Sequence, residues 1–248
     1  MKIHQLSGYI QNIYLAVYAD KIMLLDGCSK TDLGLIEHYI VAQLQRPITD
    51  LKVVVVTHMH PDHAGAANSL KKRFGCKLVT GSAKGHWYSG WDGWIMFVTD
   101  VVLGQWVAAR LGKTKRSLWF WPRPNSDYKL NDGELIPDFE DWQVIDTQGH
   151  TDRDISLFHI PTKTVYVADL AVKVKDKIIP PFPIFYPNRY ASSLAKVEAL
   201  KPKRVILAHG GDVQISHEEY LYLVSKAPKK PTTHWRVTKA KLKKLLFW

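Results

Sequence analysis

Cysteine is almost missing from this chain. Two of them, Cys28 and Cys76, in 248 residues cannot form a disulfide scaffold. Glycine and proline number 15 and 13 and follow no period, which excludes collagen-like and low-complexity chains. Long apolar runs are also absent. The longest, Trp94 to Leu111, is broken by Asp100, Gln105 and Arg110, short of the ~20 residues that span a bilayer. The start, Met1-Lys2-Ile3-His4-Gln5, lacks the charged-then-apolar pattern of a secretory signal, so the expected location is cytoplasmic. Acid is missing from one end. Residues 226–248 hold eight basic side chains and no Asp or Glu, leaving 26 basic against 23 acidic residues elsewhere. The net charge of +11 is therefore mostly a property of the tail.

What remains is an ordinary globular composition, 46% apolar and 23% charged, long enough to bury a core. Two short strands, Ile13 to Val17 and Lys21 to Leu25, are expected around a turn at Tyr18-Ala19-Asp20. Leu33 to Leu44 has helical spacing and stops at Arg46-Pro47. Val53 to Val56 is β-branched and apolar on both faces, which suits a buried central strand. Asp62 to Phe74 reads as one helix closed by Gly75, followed by a strand from Lys77 to Thr80. Further strands are expected at Trp142 to Asp146, Ile155 to Ile160, Thr164 to Ala168 and Arg204 to Leu207, with a helix from Ala191 to Leu200. Alternating strands and helices make the class α/β, with a body over residues 1–225 and a basic tail or helix over 226–248.

The strongest local feature follows the valine strand: Thr57-His58-Met59-His60-Pro61-Asp62-His63. Three histidines and an aspartate fall where a strand gives way to a helix, and sites assemble at strand ends of α/β sheets. Imidazole and carboxylate are the donors that zinc and related divalent ions take. His58 and His60, two apart in extended chain, can face one way while Asp62 and His63 face another as the chain turns. Other strand ends carry His150 in Gln148-Gly149-His150-Thr151, Asp169 after Val165-Tyr166-Val167-Ala168, and His209 after Val205-Ile206-Leu207-Ala208.

In that order the motif resembles the metallo-β-lactamase superfamily: His-x-His-x-Asp-His, a distant Gly-His-Thr, then Asp, then His, from Ile13 to His209. The resemblance implies a four-layer αββα sandwich and two divalent metal ions, most simply Zn2+. It assigns His58, His60 and His150 to the first ion, Asp62, His63 and His209 to the second, and Asp169 to a bridge. Asp26 matches an early family aspartate with a supporting role, or is a turn residue. The implied chemistry is hydrolysis by a water activated at the paired ions, with Asp62 orienting it or carrying its proton. No Ser-His-Asp or Cys-His pattern and no Gly-rich phosphate loop competes.

Within that resemblance, an aspartate at position 169 favours the glyoxalase-II-like, lactonase-like and nuclease-like branches over true β-lactamases, so at most weak β-lactam cleavage is expected of this chain. Asp169-Leu170-Ala171-Val172-Lys173 lacks the Gly-Cys-Gly-Arg-like stretch of glyoxalase II. Gly149-His150-Thr151-Asp152-Arg153 departs from the family's Gly-His-Thr-Pro-Gly. Residues 86–121 read as an inserted helical segment with six of the nine tryptophans, including Trp87, Trp91 and Trp94. It either covers the cleft for an apolar substrate, packs the core or forms a homodimer contact. Tyr186 and Tyr190 lie near the place of a lactonase tyrosine that bonds the acyl oxygen, or are packed. The expected substrate is an ester, lactone or thioester; a phosphodiester, cleaved by an RNA-processing nuclease with a basic tail, is the alternative. In the tail, Trp235, Leu242, Leu245 and Leu246 fall broadly on one helical side, with Phe247 and Trp248 outside it. Such a helix can lie on an anionic membrane, dock on the domain, touch RNA or be solvated.

Overall fold

The computed structural model describes residues 1–246, and side chains as far as Lys243. It divides the chain into two compact units. Unit 1 takes residues 1–80 and 85–128 and the chain from His234 onward; unit 2 takes 81–84 and 129–233.

Unit 1 is a mixed sheet with helices. β1 (Lys2–Ser7), β2 (Asn12–Val17) and β3 (Ile22–Leu24) pair in order, each antiparallel to the next. After α1 (Leu33–His38), β4 (Leu51–Val56) joins β3 in parallel. Val53 to Val56 are all buried, as a β-branched run apolar on both faces requires. Two helices follow where the sequence suggests one: α2 (Pro61–Ala64) and α3 (Ala67–Phe74). The break falls where the Ala66 N–H leaves the helical path and donates to the Cys28 carbonyl at 2.8 Å. Gly75 closes α3 at φ +75°, a conformation that costs glycine little. β5 (Lys77–Gly81) then pairs with β4 in parallel. The tryptophan-rich segment forms α4 (Gly90–Arg110), with Met96, Phe97 and Val101 buried and Trp91 84% exposed.

Unit 2 follows β6 (Tyr128–Leu130). Its strands are β7 (Leu135–Ile136), β8 (Phe139–Asp146), β9 (Ile155–His159) and β10 (Thr164–Tyr166), then a small hairpin, β11 (Val172–Val174) with β12 (Lys177–Ile179). α5 (Pro187–Ala199) leads to β13 (Arg204–Leu207), β14 (Gly211–Val213) and α6 (His217–Lys226). The sheet order is β14-β13-β10-β9-β8-β7, and of the pairings given for it only β10 with β13 is parallel. Its core joins Ile145, Val165, Leu194, Val197, Leu207 and Leu223.

The chain returns to unit 1 as α7 (His234–Leu246), which packs on α4. Among the described side chains of α7, Val237, Thr238 and Lys241 are buried, while Trp235 and Leu242 are exposed. Of the apolar side expected from the sequence, the two described side chains, Trp235 and Leu242, thus lie outside the buried stripe. A lysine sits in it because a carboxylate of α4, Asp100, meets its ammonium. Leu245 and Leu246 as side chains, and Phe247 and Trp248 altogether, lie outside the described residues. Among the described residues no helix is long and apolar enough to cross a membrane.

Candidate metal centre

In unit 1 the histidine loop leaves the end of β4, beside the exit of β3. Asp26, buried at 3% exposure, joins the two. Its Oδ1 accepts the Thr57 N–H at 3.0 Å, and its Oδ2 accepts the Thr57 hydroxyl at 2.7 Å and faces His63 Nδ1 at 2.6 Å. Burial raises the Asp26 carboxyl above its usual range, and the His63 ring opposes that rise. With Nδ1–H donated to Asp26, His63 carries its lone pair on Nε2, which lies 3.6 Å from Asp62 Oδ2. The Thr57 hydroxyl, having given its proton to Asp26, accepts from His58 Nδ1 at 3.1 Å. The His58 lone pair is then on Nε2, 3.0 Å from His60 Nδ1. On its other side, His60 Nε2 lies 3.8 Å from Asp100 Oδ2.

In unit 2 a tight loop carries His150. A β-carbon at Gly149 would lie 2.6 Å from Tyr190 Cα and 2.8 Å from its nitrogen, so only glycine fits there. Buried Asp154 accepts the N–H groups of Gly149 at 3.1 Å and Thr151 at 2.6 Å, and the Thr151 hydroxyl at 2.6 Å. Burial lifts the Asp154 carboxyl, which His150 and Thr151 hold back down in part. His150 Nδ1 donates to the Pro183 carbonyl at 2.5 Å, leaving the lone pair on Nε2. Asp169 follows Ala168, whose φ of +47° turns the chain sharply after β10. Asp169 Oδ2 lies 3.7 Å from His150 Nε2, and Oδ1 lies 3.6 Å from His209 Nε2. One carboxylate therefore presents a different oxygen to each of two histidines.

The donors picked out in the sequence fall as His58, His60, Asp62 and His63 in unit 1 and His150, Asp169 and His209 in unit 2. His58, His63 and His150 are oriented by a partner on the nitrogen away from the donor atom, the arrangement that prepares imidazole for a metal. Imidazole lone pairs beside carboxylates fit a divalent cation.

The two candidate tyrosines differ. Tyr190 is fully buried and its hydroxyl donates to the Leu170 carbonyl at 3.0 Å, with burial pushing the phenol far up. Tyr186 is partly exposed at the start of α5, with the Arg189 guanidinium over its ring. Three supporting residues do not stand out in the sequence. Asp154 is signalled locally, three residues after Thr151. Asp100 shows only as the acid that breaks the apolar run, and Lys241 only as one of the tail's cations.

The family model of the metallo-beta-lactamase superfamily matches residues 6–209. The chain belongs to that superfamily. A curated relative, the probable metallo-hydrolase YflN of Bacillus subtilis (strain 168), is 23% identical over 229 residues, 84% of this chain and 83% of that protein. A metallo-beta-lactamase family protein from Thermus thermophilus superposes with a TM-score of 0.65 at 18% identity, covering 90% of this chain and 78% of the other. An archaeal superfamily protein from Sulfolobus tokodaii gives 0.60 at 17% identity, over 97% and 95%. At these identities the likeness shows the fold, a mixed α/β fold.

Proposed function

We propose that this chain is a dinuclear metal-dependent hydrolase that cleaves an ester, lactone or thioester of an apolar acyl substrate. His58, His60 and His150 would hold one divalent ion, Asp62, His63 and His209 the other, and Asp169 would bridge. The observation that carries this reading is the Asp169 carboxylate, with one oxygen toward His150 and the other toward His209. Such a bridge offsets the repulsion of two dications. The motif order and the superfamily membership support bringing the two donor sets together on shared ions, and the donor chemistry favours zinc.

When bound, paired ions activate water and polarise the electrophile's oxygen. The remaining roles fall to the chain itself. Asp62, its side chain 15% exposed, is placed beside His63 to take up and pass on the proton of the attacking water. Tyr186, the accessible tyrosine of the two, would donate to the acyl oxygen, while Tyr190 supports Gly149 and the His150 loop behind it. Trp91 and Trp94 on α4 offer the apolar, edge-polar surface that suits an acyl chain.

Metal analysis joined to a panel of lactone, thioester, β-lactam and phosphodiester substrates tests the proposal. Two zinc ions per chain and acyl hydrolysis insensitive to salt are expected, both abolished by Asp169→Asn. One ion or none after careful remetallation would end the dinuclear reading. Phosphodiester cleavage that falls steeply with salt would replace the acyl substrate by a nucleic acid.

A further inference from the structure

The C-terminal helix brings a cation into the interior of unit 1. Lys241 is fully buried, and its ammonium pairs with Asp100, itself 5% exposed in the middle of α4. The same carboxylate accepts the Tyr88 hydroxyl at 2.9 Å on Oδ2, the oxygen that faces His60 Nε2 at 3.8 Å. Burial, then the neighbouring Asp100, push the Tyr88 phenol well above its usual value, so it stays protonated and donates. The lysine also touches Met96 Sδ at 3.4 Å, and Thr238 touches it at 3.8 Å. Packing alone would be served better by a leucine at position 241, since burying two charges costs more than burying apolar groups of similar volume.

We infer that Lys241 and Asp100 form a positioning device for His60: the lysine of α7 holds the carboxylate of α4 in place, and the carboxylate orients the His60 ring from behind. The inference rests on the proposed metal role of His60. With the Nδ1 lone pair given, like that of His58 Nε2 beside it, to the proposed ion, the His60 ring keeps its proton on Nε2, and Asp100 Oδ2 is a charged acceptor 3.8 Å away on that side. Tyr88 and Lys241 each hold one oxygen of Asp100, so the carboxylate cannot rotate away. The family match ends at residue 209, so this support comes from a part of the chain outside the shared motif. α7 is thereby a component of the metal site although it contributes no ligand.

The test uses the full chain, stripped of metal and titrated with Co2+ in competition with a chelator, read by absorption and by thermal unfolding. Asp100→Asn keeps the Tyr88 bond but loses the charge. Asp100→Leu with Lys241→Met removes both charges together and protects against failure to fold. Both are expected to weaken one of the two Co2+ ions by about 10–100-fold, the usual effect of losing a partner behind a ligand, and to change its absorption spectrum. A purely structural pair would change the melting temperature alone. Folded variants that bind two Co2+ with wild-type affinity and spectrum would overturn the inference and leave the metal reading intact. A wild-type protein that binds no Co2+ would overturn both.

Discussion

At the scale of single residues, the buried carboxylates of unit 1 set a stability cost that depends on pH. Asp32 is 4% exposed; one oxygen accepts the Tyr9 N–H at 2.9 Å and the other accepts no hydrogen bond. Burial raises its carboxyl from 3.8 to about 6. The folded protein therefore binds this proton up to about pH 6, while the unfolded chain releases it near pH 4. Its stabilising contribution is complete below pH 4 and is lost as the pH rises to 6, a change of up to about 3 kcal/mol. Asp32→Asn has no such titration. Urea unfolding at pH 4 and pH 7 should show the variant gaining on the wild type by that order as pH rises. A difference that does not vary with pH would refute the burial argument.

At the scale of elements, α4 holds several large apolar side chains in water, Trp91, Trp94, Ile95 and Val102. Trp91 is 84% exposed, whereas Trp94 is 43% exposed and packs on Phe97 and Trp119 with ring centroids 5.5 Å apart in each case. Trp91→Ala should leave the melting temperature within a degree or two and raise KM for long acyl substrates several-fold with kcat little changed. Unchanged KM with a shift from dimer to monomer in gel filtration would instead assign the helix to an interface. The elements legible in the sequence are those with local causes. Val53 to Val56 can only be buried strand, and the histidine loop that follows is dense enough to be read by itself. β7, β11, β12 and β14 are two or three residues long, too short for any period to show. The join between α2 and α3 is illegible because its cause, the Cys28 carbonyl, lies 38 positions upstream of Ala66. The start of α6 does carry a local mark, Ser216 and Glu219 capping each other's N–H groups. The Lys241–Asp100 pair spans 141 positions, and no spacing rule reaches that far.

At the scale of the whole chain, the tail's eight cations overstate what its partners can meet there, because Lys241, one of the eight, is spent internally on Asp100. Ending the chain after Thr233 would remove that cation together with the α7 cover, leaving Asp100 beside Met96 and Tyr88 without its partner. Losing one partner of a buried pair costs about 3–5 kcal/mol. The shortened protein should accordingly melt several degrees lower, and Asp100→Leu should return part of the loss; a melting temperature equal to that of the full chain would show that α7 contributes nothing. The same arrangement sets an order of events during synthesis. Unit 2 is complete in sequence once residue 233 has left the ribosome, but unit 1, although begun first, waits for α7. Throughout translation of the middle of the chain, α4 carries Asp100 without its cation beside apolar side chains. The nascent protein is then open to chaperones and to aggregation, and α7, made after unit 2, is the element that ends that exposure.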